Sequence, residues 1–331
     1  MIITRTPLRI SFFGGGTDLP DWFQKHGGAV LSTTINKYLF ITCRDLPPFF
    51  EFKNRFVYGG RTEAVSGIDE IEHPAIREVL RFMKIPYGID MYYNADIPSR
   101  SGMGSSSAFT VGLLRALYGM LGKIISDRSL AQEAIHIEQD LIGEAVGCQD
   151  QIAAAFGGLN HIQFHKDGNF EVNPMTLTKQ RFQELNDHLI LVYTGVQRIA
   201  SKIEAEKIKV MSSHTGELHD IRRYVDDAIN ILNGDTPIEE FGSLLNETWQ
   251  RKRKLSAEVT NIKLDTMYET GRKNGAIGGK LLGTGGGGFM LFFVRPQDRE
   301  RMLKSLPEFI SVPFAFDSTG SQTIYYQEDR L

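Results

Sequence analysis

Pro98-Ser99-Arg100-Ser101-Gly102-Met103-Gly104-Ser105-Ser106-Ser107 is a glycine- and serine-rich loop set between two regular segments. Before it, Asp90 to Ile97 reads as a strand. After it, Phe109, Leu113, Leu114, Leu117 and Leu121 recur at helical spacing, and Gly122 stands where a helix C-cap belongs. A strand, a glycine loop and a helix in that order aim backbone N–H groups at the positive end of the helix, which makes an anion site. Glycine at 102 and 104 lets the main chain approach a phosphate closely, and the serine hydroxyls can hydrogen-bond phosphate or ligate magnesium. The same letters also suit a serine-capped helix behind a flexible turn. Two other nucleotide motifs are set aside. Gly279-Lys280 is followed by Leu281 rather than Ser or Thr, so it opens no Walker motif. The run from Gly102 to Ser107 carries serine where a dinucleotide fingerprint needs its last glycine or alanine, which argues against an oxidoreductase.

Two carboxylates downstream supply what such a loop lacks. The capping box Ser129-Leu130-Ala131-Gln132 predicts a second helix running to about Gly143, with Glu138 in its middle. The neighbours of Glu138 three and four positions away are Ala134, Ile135, Leu141 and Ile142, all apolar. A glutamate on that stripe must be paired, metal-bound or protonated, because an isolated buried charge costs on the order of several kcal/mol. A core arginine would satisfy it as well as a metal. A third, short helix is predicted over Gln149 to Phe156. Asp150 at its start has Val146, Gly147, Ala153 and Ala154 at the same spacing and should also face inward. The alternative is a first-turn acid favoured by the helix dipole. A metal-binding Glu, a magnesium-binding Ser and an Asp beside the nucleophile are what phosphoryl transfer requires, since that chemistry is chiefly positioning and charge stabilisation.

Glycine clusters also mark the two ends of the chain. Ile2 to Phe13 reads as a strand broken at Pro7 and ended by Gly14-Gly15-Gly16. Around that turn stand Arg9, Thr17 and Asp18, a set able to hold a polyhydroxylated ligand, although Asp18 also suits the cap of a short segment starting near Pro20. Near the other end, Lys280-Leu281-Leu282-Gly283-Thr284-Gly285-Gly286-Gly287-Gly288-Phe289 has more glycine than a hairpin turn needs, so the backbone should approach a ligand or another loop. Leu159 to Phe164, Leu189 to Thr194, Phe289 to Val294 and Thr323 to Tyr326 read as strands, and Gln197 to Ser256 as mostly helical. The expected division is residues 1–185 and 186–331.

Composition narrows the function classes. The 331 residues are 41% apolar and 23% charged with a formal charge of −3, which fits a globular protein with no basic field for nucleic acid. No apolar run approaches a membrane span, and the first residues lack the apolar core of a signal peptide. Cys43 and Cys148 are too few for a disulfide framework and have no zinc-ligand spacing, so a soluble, cytoplasmic protein is expected, and a homodimer is allowed.

The three glycine segments and the Gly147-Cys148-Gln149-Asp150-Gln151 stretch resemble, in order and spacing over nearly the whole chain, the motifs of the GHMP kinases. Pro98 to Ala108 is similar to the family's ATP loop, the Asp150 stretch to its galactokinase catalytic segment, and Lys280 to Phe289 to its third motif. The resemblance implies a two-domain α+β fold, with a ribosomal protein S5 domain 2-like N-terminal domain, a ferredoxin-like C-terminal domain, and ATP and acceptor between them. Carried over, Pro98, Ser101, Gly102, Met103, Gly104, Ser105, Ser106 and Ser107 bind ATP, and Ser106 and Glu138 bind magnesium. Asp150 is the base or orienting carboxylate, and Arg9 supports the transferring phosphate. Gly15, Gly16, Thr17, Asp18, Gly285 and Gly286 lie with the acceptor. One departure stands out: galactokinases have Glu-His where this chain has Gly15-Gly16, which leaves room for a bulkier acceptor. Within the family, Gly14 to Pro20 is most similar to the kinases of D-glycero-D-manno-heptose 7-phosphate, which act on the anomeric hydroxyl. Arg198 is a candidate for the existing phosphate, with Lys202 and Arg100 as alternatives to it. Other readings are a fucokinase- or galactokinase-like sugar 1-kinase and a non-catalytic sugar and ATP sensor on the same fold.

Overall fold

A computed structural model describes residues 1–196 and 211–328. The first sheet is built from β1 (Ile2–Phe13), β2 (Gly28–Asp45), β3 (Asn54–Tyr58), β4 (Arg61–Val65), β5 (Ile89–Ala95), β6 (Leu159–Phe164) and β7 (Phe170–Pro174). The second holds β8 (Leu189–Tyr193), β9 (Ala276–Leu281), β10 (Phe289–Val294) and β11 (Ile310–Val312). The chain then returns, through β12 (Phe316–Asp317) and β13 (Gln322–Tyr326), to pair with β2 and β1 of the first sheet. Ten α-helices are described: α1 (Pro20–His26), α2 (Pro74–Met83), α3 (Ser105–Met120), α4 (Asp127–His136), α5 (Gln149–Phe156), α6 (Lys179–Asp187), α7 (Thr215–Asn233), α8 (Glu239–Lys252), α9 (Ile262–Lys273) and α10 (Arg299–Lys304).

The 18-residue β2 organises the first sheet. Its run of β-branched and aromatic residues suits a pleated, half-covered surface. It pairs antiparallel with β1 along most of its length, with β5 at one end and with β6 at the other. Pro7 does not break β1: the strand continues through it and takes up the missing N–H in a register shift between Pro7 and Leu8. In the second sheet the order β11-β8-β10-β9, all antiparallel, with helices between β8 and β9 and between β10 and β11, is the ferredoxin-like arrangement. This is the two-part α+β architecture expected.

All six residues of β10 are buried because helices cover one of its faces and the first sheet lies beyond the other. Met290, Phe292 and Val294 join a core with Trp249, Leu264 and Tyr268, whereas Phe289, Leu291 and Phe293 join the larger core that contains Phe12 and Phe13 of β1. Phe241 of α8 links the two layers, with its ring 5.4 Å from that of Phe12, 5.0 Å from Phe13 and 5.9 Å from Phe293. The Lys280 ammonium on β9 donates to the carbonyls of Ser11 and Phe12 at 3.0 and 2.7 Å. The second sheet is therefore fastened to the end of β1 where the first glycine turn begins. We propose residues 1–185 and 186–331 as the two units, with β12 and β13 as a strap from the second back onto the first.

Helix α4 begins three residues earlier than the capping box predicts, at an N-cap formed by Ser126, whose hydroxyl accepts from Ser129 N at 3.1 Å. It then widens into a π-helical turn over Ile137–Leu141, where Ile142 N donates to Ile137 O at 2.9 Å. Such turns often occur at functional sites. Here the turn carries Glu138.

Candidate active site

Helix α3 starts at Gly104, whose φ of 74° lets the loop turn sharply into the first helical turn. On the loop side, Met103 is fully buried and its carbonyl accepts from Arg9 N at 3.1 Å, so the loop is pinned to β1. Behind it lies the last glycine turn. A Cβ on Gly102 would stand 2.7 Å from Leu282 O, and one on Gly283 would stand 2.6 Å from Gly102 Cα, distances that only two glycines permit. Gly285 and Gly286, expected beside the acceptor, are buried instead, and Gly286 N donates to Val259 O at 2.9 Å. The surplus glycine therefore brings one loop against another, and the turn supports the phosphate loop from behind.

At the open end of the loop, Arg9 reaches Asp150 with both forks of its guanidinium. Nε donates to Oδ1 at 2.7 Å and Nη2 to Oδ2 at 2.6 Å, while Nη1 donates to Gly102 O at 2.6 Å. Bidentate pairing of this kind fixes both groups in one plane. Arg9 is 4% exposed and the Asp150 side chain 24% exposed, so the carboxylate keeps a face open. A Cβ on Gly104 would lie 3.3 Å from Asp150 Oδ2, which places the carboxylate against the N-terminus of α3. Sequence alone left Asp150 as either a helix-dipole acid or a site group. Its arginine and its position at the loop favour the second.

Glu138 is 1% exposed, and no arginine pairs with it among the described residues. Ser107 Oγ and Gln151 Nε2 both donate to its Oε2, at 2.8 and 2.5 Å, while Oε1 is buried and accepts no hydrogen bond of good geometry among the described residues. Burial pushes its carboxyl up to about 7, against the opposing pull of Thr110, Ser107 and Gln151. Ser107 rather than Ser106 therefore touches Glu138. Ser106 is exposed on the first turn of α3, and its carbonyl accepts from Thr110 Oγ1 at 3.4 Å. A buried carboxylate oxygen left without a well-formed hydrogen bond is a hard oxygen donor of the kind a divalent cation takes. Gln151 was missed by the sequence reading. Its place on α5 is local, but its contact with Glu138 comes only from the packing of α5 on α4 and the turn that follows it.

In the first glycine turn, Asp18 is 2% exposed and bridges to α5: its Oδ1 accepts from Gly16 N at 2.8 Å and its Oδ2 from Gln149 N at 3.2 Å. It does not cap α1, whose N-cap Leu19 has no side-chain bond. Thr17 corrects another expectation. It is fully buried, and its hydroxyl donates to the carbonyls of Gly14 and Ala29 at 2.8 and 3.0 Å, so it shapes the turn and does not face the acceptor. Gly15 and Gly16 remain at the rim, where among the described residues a Cβ on Gly16 would touch only Leu218 of α7, at 3.5 Å. Of the remaining loop residues, Ser101 is fully buried, Ser105 Oγ accepts from Arg100 N at 3.3 Å, and Pro98 is exposed. Arg198 and Lys202 lie outside the described residues, and Arg100 is exposed with a φ of 59°.

Comparison with known proteins bears on this geometry. The GHMP kinases N-terminal domain model matches residues 71–158, and the GHMP kinases C-terminal model matches residues 230–311. The D-glycero-alpha-D-manno-heptose 7-phosphate kinase of Campylobacter jejuni is 32% identical over 320 residues, covering 92% of this chain and 93% of that protein. The chain belongs to the GHMP kinase family. Among other relatives, the L-fucokinase/L-fucose-1-P guanylyltransferase of Bacteroides fragilis is 26% identical, covering 92% of this chain and 36% of that protein. The crystal structure of a D-glycero-D-manno-heptose 1-phosphate kinase from Bacteroides thetaiotaomicron superposes with a TM-score of 0.81 at 25% identity, covering 99% of this chain and 100% of that one. As a GHMP kinase, this protein is an ATP-dependent phosphotransferase acting on a hydroxyl acceptor. No described helix is long and apolar enough to cross a membrane.

Proposed function

We propose that this GHMP kinase transfers the γ-phosphoryl group of ATP to the anomeric C1 hydroxyl of a sugar, D-glycero-D-manno-heptose 7-phosphate, giving the 1,7-bisphosphate. The observation that carries the reading is the Arg9–Asp150 pair at the N-terminus of α3. The loop amides and the helix end provide a cradle for the triphosphate. Arg9 stands where charge builds on the transferring group, and Asp150 keeps lone pairs beyond those that Arg9 engages, able to accept the proton of an acceptor hydroxyl and orient its oxygen for in-line attack. Asp18 holds the acceptor turn against the same helix that presents Asp150. Glu138, through Oε1, and Ser106 are the residues that would hold magnesium, which would neutralise charge on the phosphate oxygens. Support for the heptose acceptor comes from the Campylobacter relative and from the side-chain-free rim at Gly15 and Gly16. Arg198, outside the described residues, is the candidate cation for the 7-phosphate, with Lys202 and Arg100 as alternatives.

A coupled ADP-release assay tests the proposal, run with heptose 7-phosphate, fucose, mannose, galactose and homoserine. The expected result is the highest kcat/KM on heptose 7-phosphate, with the product phosphate at C1 by phosphorus NMR. Selective turnover of an unphosphorylated sugar overturns the heptose assignment and leaves the kinase. ATP binding with no turnover of any acceptor points to a sensor.

A further inference from the structure

Two buried lysines lie where β9 runs into the last glycine turn, and each reaches the backbone beside a different ligand loop. Lys252, the last residue of α8, donates from its ammonium to Leu281 O at 3.1 Å and to Gly283 O. Lys280, on β9 itself, donates to the carbonyls of Ser11 and Phe12 on β1. Their supports are stiff: a Cβ on Gly278 would stand 1.9 Å from Gly242 O, so α8 lies directly on β9. From Lys252 the contacts lead to the phosphate loop. Gly283 packs on Gly102, a Cβ on Gly288 at the far end of the same turn would stand 2.2 Å from Ser101 O, and Gly102 O accepts from Arg9 at 2.6 Å. From Lys280 they lead to the acceptor turn. Ser11 and Phe12 stand just before Gly14, whose carbonyl closes that turn by accepting from Thr17 N at 2.9 Å.

Burying an ammonium is costly unless it is hydrogen-bonded, and a charged donor holds a carbonyl more firmly than a neutral one. A lysine that spans two carbonyls therefore fixes the local course of the chain. We propose that Lys252 and Lys280 are positioning residues with divided roles. Lys252 sets the phosphate loop for ATP by holding Gly283 against Gly102, and Lys280 sets the acceptor turn by holding the end of β1. Small displacements of a bound group cost affinity or rate steeply, so loss of either ammonium acts on the substrate of the loop it holds. This inference rests on the assignment of the two loops to ATP and acceptor under the proposed function.

The test compares wild type with Lys252→Met and Lys280→Met on the sugar phosphorylated best in the screen, with ATP affinity read separately by calorimetry without acceptor. Lys252→Met is expected to raise KM and Kd for ATP by about ten-fold and to leave the acceptor KM within about two-fold. Lys280→Met is expected to raise the acceptor KM by about ten-fold and to leave the Kd for ATP within about two-fold. A merely structural loss moves both substrates together, so the crossed pattern is the signature of positioning. Parallel losses, or unchanged values for both substrates in either variant, overturn the divided roles while the kinase stands. The exchanged pattern, with Lys252 acting on the acceptor and Lys280 on ATP, overturns the proposal together with the assignment of the loops. Lys252→Gln and Lys280→Gln keep an N–H donor, and the glutamine variant replaces a methionine variant that does not fold. Failure of both substitutions at either site makes that lysine a general tie of the fold and overturns its positioning role. If the wild type phosphorylates no sugar, the function reading fails first and the Lys280 role falls with it, whereas the Lys252 role is still decided by ATP calorimetry.

Discussion

Asp90 and Glu138 are both buried carboxylates, 0% and 1% exposed, yet their surroundings differ in kind. Asp90, on β5, is held by two arginines: Arg44 Nε donates to it at 2.9 Å, and Arg55 Nε and Nη2 donate at 2.8 and 2.7 Å. Burial alone would raise its carboxyl, but the two guanidinium groups together bring it below the usual carboxylate range. Among the described residues Glu138 is met by neutral groups, the hydroxyls of Ser107 and Thr110 and the amide of Gln151, and burial leaves it raised. The charge at Asp90 is complete within the fold. At Glu138 no guanidinium does this among the described residues, which is why the proposed cation is placed there. Burial of an acid is thus not by itself the mark of a site. Asp150 lies between these cases, matched by Arg9 but open on one side.

Substitutions can break that ordering. Asp150→Asn has the largest expected effect on activity, a fall in kcat of about 10³-fold with ATP affinity by calorimetry nearly unchanged. Retention of wild-type kcat would remove Asp150 from the reaction. Asp90→Asn should leave kcat intact and cost about 3 kcal/mol of stability in urea unfolding, because two arginines lose their counter-charge. The sign with pH follows from the lowered carboxyl. Stability from Asp90 is full above the unfolded value and is lost as pH falls through the folded one, so the gap between wild type and Asp90→Asn should close below about pH 4. A gap independent of pH would place the effect in packing.

For Glu138→Gln the comparison predicts the reverse pattern. Apo stability at pH 8 should be unchanged or higher by about 1 kcal/mol, since an unmatched carboxylate has been removed, while manganese binding with ATP, followed by electron paramagnetic resonance, weakens by about ten-fold or more. Destabilisation as large as that of Asp90→Asn would make Glu138 a structural acid. The smallest effect belongs to Gly104→Ala. A left-handed residue loses about 1 kcal/mol on gaining a Cβ, and that Cβ would press on Asp150 Oδ2, so kcat should drop more than the KM for ATP rises.

The sequence by itself determined which segments carry chemistry. Spacing of apolar residues marked α3 and α5, and the glycines marked three turns, because periodicity and φ requirements are local properties of the chain. It also predicted that Glu138 and Asp150 face inward. Partners were decided only by the tertiary structure. Arg9 meets Asp150 across 141 positions, Arg55 meets Asp90 across 35, and no local pattern distinguishes an acid that will find an arginine from one that will not. The same holds for the last glycine turn, where the sequence allowed a ligand or another loop and the packing of Gly283 on Gly102 chose the loop. Thr17 followed suit, since a threonine next to an acid suggests a ligand contact until the backbone of β2 takes its hydroxyl. Which atoms stay without a partner among the described residues, Glu138 Oε1 among them, depends on what every other segment leaves undone, and that is settled only when the two sheets close on each other.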